Sequence, residues 1–360
     1  MIVFVTVIIL LVISVYLWFQ NKFHFWKSRG FPSITPKIPL GSVGEMGFQT
    51  HSSELLKRFY DEKKGQAPAV GMYFLTQPVL MPLEPELVKE ILVRNFDNFR
   101  DRGFYFNKED DPLSAHLFAL EGSEWKNMRA KLTPTFTSGK MKMMFGTLSK
   151  VADGMIDYLK KTVVEKTDVE MKELLSQFTT EVISSVAFGI ETKCIDNPKS
   201  EFRRLANRVF DPPKWETVKF LFMNAFQDLS KKLGLRFNDQ ESTDFFLGII
   251  KSTVKYREEN NVERNDFLQL LLQIKNSENG NGMTINDMAA QSFVFFLAGF
   301  ETSSSTMTFT LYELALNQDI QERLRDEIQD VIAENDNQIT YEAIMQMKYL
   351  DMVFNGKRFV

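Results

Sequence analysis

The sequence has 360 residues, 44% of them hydrophobic and 25% charged, with a formal net charge of −4. This balance suits a globular protein with a sizeable core, and without an arginine-rich tract or a basic–aromatic ladder it gives no case for nucleic acid as a partner. One cysteine, Cys194, excludes an internal disulfide and a cysteine-rich zinc or iron–sulfur site, and no Asn-x-Ser/Thr acceptor marks the chain as secreted. Phenylalanine occurs 33 times and methionine 17 times, which predicts a wide, apolar, aromatic-lined pocket.

Residues 2–19, IVFVTVIILLVISVYLWF, carry no charge over 18 positions. That is long enough for a transmembrane helix, and the segment lacks the basic start, short apolar core and small-residue site of a cleaved signal peptide. A buried core helix is the alternative, although Tyr16 and Trp18 also suit an interfacial belt. Lys22, Lys27, Arg29 and Lys37 follow, with no acidic residue before Glu45. The positive-inside rule then leaves the body in the cytosol, behind an uncleaved signal anchor over 1–20.

Residues 29–42, RGFPSITPKIPLGS, contain three prolines and two glycines, so this stretch is expected as a semi-rigid spacer within a linker over 21–45. Helical periodicity then predicts helices over 51–63, 84–94, 122–131, 141–162, 168–187, 199–209, 217–233, 241–260, 264–275, 285–316 and 319–334. Strand-like pieces fall at 69–75 and 78–82, and NSENGNG (276–282) reads as a surface turn. The fold class is mainly α with a small β-sheet, in one domain for want of an internal linker.

Two short patterns could carry chemistry. Trp125 and Arg129 lie one helical turn apart, where an indole N–H and a guanidinium would clamp a carboxylate. An intrahelical cation–π contact is the packing alternative. Thr284 and Asp287 form a capping-box-like start for the helix 285–316, about 48 Å long at 1.5 Å per residue. In its middle stands AGFETSSS (298–305), and Phe295, Ala298, Gly299, Thr302 and Thr306 fall on one face. Small residues there would admit something flat, Thr302 could bond the Ala298 carbonyl and open a polar notch, and Glu301 could serve a proton relay. A helix-crossing glycine with back-bonded hydroxyls explains the same residues without chemistry.

Taken together, AGFETSS resembles the oxygen-activation motif of the cytochrome P450 haem-thiolate monooxygenases, and WKNMR (125–129) resembles their W-x-x-x-R helix. WKSRGFPSITPKIPLG, DRGFYFNKEDDPLSAHLFALEG and KLTPTFTSGKMKMMF are similar to the microsomal insect branch, resembling family 6. The resemblance runs to residue 355 and implies a P450 domain over 46–355 in the endoplasmic reticulum membrane, with the body facing the cytosol. It implies haem b, NADPH-cytochrome P450 reductase as electron donor, the lipid bilayer and a lipophilic substrate such as a xenobiotic or hormone as partners. It also implies residue roles. Trp125 and Arg129 would hold a haem propionate, Ala298 and Gly299 would lie against the porphyrin, and Thr302 with Glu301 would deliver protons. Phe104, Phe106, His116 and Phe118 would line the substrate pocket. The stretch FLFMNAF (220–226), after Asp211-Pro212-Pro213, would touch the bilayer or else form a buried amphipathic helix. Lys126, Arg129, Lys131, Lys140 and Lys142 would face the reductase or simply be solvated.

The family also needs an axial cysteine in a glycine-rich loop. Cys194 lies in IETKCIDNPK without that setting and is expected as a surface-loop thiol; the histidines His24, His51 and His116 are scattered, so the metal-ligand set is read as none. After YLDMVFN (349–355), Gly356 and Phe359 stand where the family's Glu-x-x-Arg is expected. The expected reading is a C-terminally truncated domain with an aberrant tail over 356–360. Gly-Lys is what an exon G followed by the intron donor GUAAG encodes, so the tail would be translated intron. Two functions compete: a monooxygenase of which this chain is a part, and a haem-less, membrane-anchored protein that binds lipophiles or partners.

Overall fold

The computed structural model describes residues 1–46, 50–165, 167–210, 213–277 and 282–356. The elements run α1 (Ile2–Lys22), α2 (Phe25–Ser28), α3 (Ser52–Lys63), β1 (Ala69–Phe74), β2 (Gln77–Pro82), α4 (Pro85–Lys89), α5 (Gly122–Leu132), α6 (Ser138–Glu165), α7 (Met171–Ile183) and α8 (Glu201–Phe210). They continue with α9 (Lys214–Ala225), α10 (Gln227–Lys232), α11 (Gln240–Asn260), α12 (Phe267–Lys275), α13 (Ile285–Leu316), α14 (Gln318–Glu334), α15 (Tyr341–Gln346) and α16 (Lys348–Phe354). The fold is mainly α with a small antiparallel hairpin, as the sequence predicts. Part of the expected 276–282 turn and most of the expected tail, residues 278–281 and 357–360, lie outside the described residues.

The chain divides into two compact units. The first comprises Met1–Asp110, Ala119–Gly122 and Pro212–Phe237. In it β1 pairs with β2 from Ala69↔Pro82 to Phe74↔Gln77. Ile34, Val43, Leu55, Phe59, Val70, Met72 and Leu83 form its core. The 29–42 stretch is not a free spacer. The Ile34 N–H donates to the Gly71 carbonyl at 2.8 Å, the Gly71 N–H to Pro32 at 2.8 Å, and the Ser42 N–H to Tyr73 at 2.8 Å. An otherwise unpaired edge of β1 is thus satisfied by the proline-rich chain, whose free N–H groups fall where the strand needs them.

The end of α1 is pinned to the same strand. Fully buried Tyr73 donates its hydroxyl to the Phe23 carbonyl at 2.8 Å and accepts from the Trp26 N–H at 3.1 Å, while Trp26 Nε1 donates to the Met72 carbonyl at 3.1 Å. The indole lies flat on Gly71, where an added Cβ would sit 2.5 Å from the ring. Strand propensity disfavours glycine, so this close approach is the reason for it. Nearby, the stretch 220–226 has buried and half-buried residues in alternation. Leu221, Met223 and Ala225 are buried, and Asn224 Oδ1 accepts from the Tyr105 N–H at 3.0 Å.

The second unit comprises Asp111–Phe118, Ser123–Asp211 and Asn238–Val360. Its axis is α13, with 32 residues, packed along α7 and against α11 and α12. Much of the phenylalanine content lies in this core rather than in a pocket wall. Phe246 meets Phe293 at 5.1 Å and Phe188 at 5.5 Å, and Phe296 meets Phe202 at 5.5 Å and Phe300 at 5.6 Å. Such pairs add about 0.5–1.5 kcal/mol each beyond their buried area. A bidentate pair, Arg257 with Asp266, joins α11 to the start of α12 at side-chain exposures of 1% and 2%. Losing one partner of such a pair costs about 3–5 kcal/mol, because the other charge is left buried.

Several expected helices are interrupted. The 217–233 helix breaks at Phe226 between α9 and α10, where the Gln77 side-chain amide takes the Ala225 carbonyl at 2.7 Å. The 84–94 and 168–187 helices end in wider π-type turns at Glu90–Arg94 and Ser184–Phe188. The strand junction gives a direct test. Gly71→Ala should displace Trp26 and destabilise the first unit by about 1–3 kcal/mol. Faster tryptic cleavage at Lys27 and Arg29 than in the parent would show it, and unchanged cleavage would exclude it.

Candidate active site

Helix α13 begins where its sequence says it should. The Thr284 hydroxyl accepts from the Asp287 N–H at 3.0 Å, and the Asp287 carboxylate accepts from the Thr284 N–H at 2.9 Å. The first half is buried, including Phe293, Phe296 and Phe300. From Ala298 onward one face opens, and Ala298, Thr302, Thr306 and Phe309 are exposed at helical spacing. Phe309 is 69% exposed.

The hydroxyls along this face form a ladder. Thr302 donates to the Ala298 carbonyl, Thr306 to Thr302 at 2.8 Å, and Thr310 to Thr306 at 2.8 Å. Each finds a partner on its own helix, so the helix can carry threonine in its interior. A cavity of about 440 Å³ is lined by Gly299, Thr302, Ser303 and Thr306 with Phe178 and Ile183. A second, of about 500 Å³, is lined by Thr306, Phe309 and Thr310 with Val353 and Phe354. The two share Thr306 and Phe354, making a trough along α13. Gly299 also serves the crossing, since a Cβ there would lie 3.2 Å from Ile183 Cδ1 at the end of α7.

The carboxylate beside this notch is engaged elsewhere. Lys172 Nζ, on α7, donates to Glu301 Oε1 at 2.7 Å, to Ser305 Oγ at 2.7 Å and to Ser304 Oγ at 3.2 Å. Ser305 Oγ also donates to Glu301 Oε1 at 3.0 Å. Burial pushes the Glu301 carboxyl up, but the Lys172 and Ser305 hydrogen bonds outweigh it, and the net direction is below the ordinary carboxylate value. The neighbouring residue Glu173 holds Arg203 at 3.0 Å through both oxygens, and that guanidinium lies 5.4 Å from the Phe300 ring centre. Two of the four hydroxyls in the 302–305 run therefore solvate an ammonium that sequence reading did not connect to them.

On α5, Trp125 is half-buried and Arg129 exposed, one turn apart. The Arg129 guanidinium makes no ion pair, hydrogen bond or ring contact among the described residues, so the intrahelical stack is not formed. Phe136, just beyond α5, packs on Phe295 at 5.1 Å, one turn before Ala298. His116 and Phe118 reach α13 through the Leu117 N–H, which donates to Gln291 Oε1 at 2.9 Å. His116 Nδ1 and Gln291 Nε2 are buried without partners. Burial lowers the His116 pKa to about 4, so the ring is neutral at neutral pH. Phe104 and Phe106 belong to the first unit, where Lys231 Nζ stands 4.9 Å from the Phe106 ring centre. Sequence reading missed Lys172, Gln291 and Phe136. Only Gln291, polar in an apolar helical run, carried a visible signal.

Cys194 departs from expectation. It lies in a loop but is 0% exposed, with Sγ donating to Thr192 Oγ1 at 3.2 Å and 3.7 Å from Ser200 Oγ. The next residue, Ile195, joins the core of Val151, Leu174 and Phe178, which draws the loop inward. Burial pushes the thiol pKa up, so it stays protonated. No group of three or more histidine, cysteine, aspartate or glutamate side chains converges among the described residues. By their chemistry alone, the α13 strip of small residues and threonines would suit the face of a planar ring such as haem, and the Arg129 guanidinium would suit a ring carboxylate. No axial ligand accompanies them among the described residues.

A mostly helical chain with a small hairpin, crossed by a long helix carrying AGFETSS, has the features of a haem-thiolate oxygenase class. A model of the family described as Cytochrome P450 matches residues 34–355, and the chain belongs to that family. It resembles family 6 within it. The chain is 41% identical over 339 residues to cytochrome P450 6A1 of Musca domestica, covering 93% of this chain and 67% of that protein. It is 42% identical over 360 residues to cytochrome P450 6a9 of Drosophila melanogaster, covering 98% and 71%.

Two measurements follow from this geometry. Replacing Lys172 (Lys172→Met) should raise the Glu301 pKa. Glu301 is depressed in the fold, so its contribution to stability is present above the ordinary carboxylate value and lost as pH falls through the folded one. The stability gap between parent and variant should be present at neutral pH and close on acidification; a gap independent of pH would contradict the pair. For His116 the neutral form is favoured in the fold. Stability should be complete above its ordinary 6.5 and fall as pH drops towards about 4. His116→Gln should flatten that part of the unfolding profile.

Proposed function

We propose that this chain is part of a monooxygenase of the cytochrome P450 type, acting on a lipophilic substrate at the open face of α13. The observation that carries the reading is the exposed strip Ala298–Thr302–Thr306, where α13 leaves the aromatic core that packs its first half. The chemistry supplied by a bound haem is insertion of one atom of dioxygen into the substrate, the other leaving as water.

The chain's own residues have definable tasks. Arg129, with Trp125 one turn before it, would hold a ring carboxylate by charge-assisted hydrogen bonds. Ala298 and Gly299 keep the backbone close to the ring, since neither carries a side chain beyond Cβ. The Thr302 proton is committed to the Ala298 carbonyl, so Oγ1 remains an acceptor for the proton of a water. Glu301 would pass protons to that water once its Oε1 leaves Lys172. His116, neutral, and Phe118 would bound the substrate. Helix α1, with mean hydropathy 2.9 and no buried residue, would anchor the protein in the endoplasmic reticulum membrane with its body in the cytosol. Lys126, Lys131 and Lys140 would receive NADPH-cytochrome P450 reductase, Arg129 being committed to the ring carboxylate; Lys142 is already paired with Glu342.

The buried thiol of Cys194 favours a second reading, a haem-less anchored protein that binds lipophiles or partners. A carbon monoxide difference spectrum of the reduced, expressed chain separates the two. A thiolate-type Soret band supports the enzyme, and absence of haem uptake supports the second reading. If haem binds, Arg129→Gln should weaken its retention about tenfold or more, as expected for a charge-assisted bond of about 1.5–3 kcal/mol.

A further inference from the structure

We propose that a cavity at the foot of α1 binds the headgroup of one anionic phospholipid. The cavity has a volume of about 610 Å³ and lies within the first unit. Lys22, Ser28 and Arg29 line it from the end of α1 and from α2; Thr76 and Gln77 line it from the β1–β2 turn, and Phe226 closes one wall. This inference goes beyond the oxygenase site and rests on α1 spanning a bilayer.

Three observations point to the ligand. The rim is cationic and uncompensated: neither Lys22 nor Arg29 forms an ion pair among the described residues, and no acidic residue precedes Glu45. The Arg29 fork is pre-positioned, with its guanidinium carbon 3.8 Å from the Phe25 ring centre and Nη1 donating to the Phe25 carbonyl at 3.1 Å. That leaves its other N–H groups for a phosphate. Thr76 is 8% exposed, lines the cavity and makes no side-chain hydrogen bond among the described residues. Its hydroxyl opens onto the cavity and is available to a ligand oxygen.

Position selects lipid over a soluble phosphate. The 21 residues of α1 rise about 32 Å, close to the roughly 30 Å hydrocarbon thickness of a bilayer, so Lys22 and the cavity mouth lie at headgroup depth. Tyr73 and Trp26 hold the helix end to β1, which makes the cavity a formed site rather than a loose basic tail. A diffuse basic segment attracts anionic leaflets by charge count alone, whereas this site requires two particular cations and an open volume.

The test uses the full chain in phosphatidylcholine nanodiscs containing a minority of phosphatidylserine with a photoactivatable label near its headgroup. One label per chain is expected, on peptides holding 21–29 and 76–78. Lys22→Gln and Arg29→Gln should each lower labelling about fivefold. Ser28→Trp, which fills the cavity at constant charge, should abolish it. Lys27→Gln removes the same charge outside the cavity and should leave labelling unchanged. Equal loss in all three charge variants, or labelling that survives Ser28→Trp, would overturn the site in favour of diffuse attraction. Displacement of the label by inorganic phosphate would reassign it to a soluble anion. Failure of the chain to enter the discs would remove the anchor reading, and the proposal with it.

Discussion

The ammonium of Lys172 reaches across from α7 to three oxygens of α13, and this contact sets what the middle of the long helix presents to its open side. Upstream of it the helix is wrapped by aromatic rings and has no freedom. Downstream it shows a row of hydroxyls and small side chains. A carboxylate at position 301 without Lys172 would be free to turn toward the trough; with Lys172 it is held at the crossing. Gly299 belongs to the same constraint, since the approach of Ile183 that brings α7 into reach leaves little room for a side chain there.

The two explanations of AGFETSSS that compete in the sequence are both present in the structure, divided among its residues. Gly299 is a helix-crossing glycine, and the threonines are satisfied by their own helix. Ser304 and Ser305 serve Lys172. Yet Ala298, Thr302 and Thr306 remain exposed on a face that packing alone would have covered. Local satisfaction of hydroxyls and access to a ligand are compatible, because a threonine that donates to its own helix keeps its acceptor lone pairs outward.

What was legible in the sequence was carried by short-range signals. The Thr284–Asp287 box and the periodicity behind it set α13 at 285–316, and β-branched and aromatic residues around a short turn set the hairpin. What was not legible depends on contacts distant in the chain. Lys172 and Glu301 are 129 residues apart, and Gln77 breaks a helix 148 residues away by taking its carbonyl. Cys194 looked like a surface thiol because its neighbours are polar, but Ile195 draws the loop into a core assembled from α6 and α7. The proline-rich stretch looked like a spacer because prolines donate no hydrogen bond; the residues between them supply the N–H groups that β1 lacked.

The strength of the Lys172–Glu301 pair decides between a fixed structural bridge and a releasable one. The side chains are 38% and 45% exposed, and ion pairs so open to water are worth about 0–1 kcal/mol. The serine hydroxyls add hydrogen bonds, but each exchanges with water at a net of about 0.5–1.5 kcal/mol. A carboxylate held by about one to three kcal/mol is free in about one molecule in six to one in 160 at equilibrium. That population is too small to leave Glu301 pointing into the trough at rest and large enough for proton transfer to proceed from it. The packing of α7 on α13 does not rest on this pair, since Thr179 also donates to the Phe300 carbonyl at 3.1 Å, Ile183 lies against Gly299, and Phe178 shares a core with Met307. The crossing can therefore stay intact while the carboxylate moves, which is the physical condition a proton-delivering glutamate at this position has to meet.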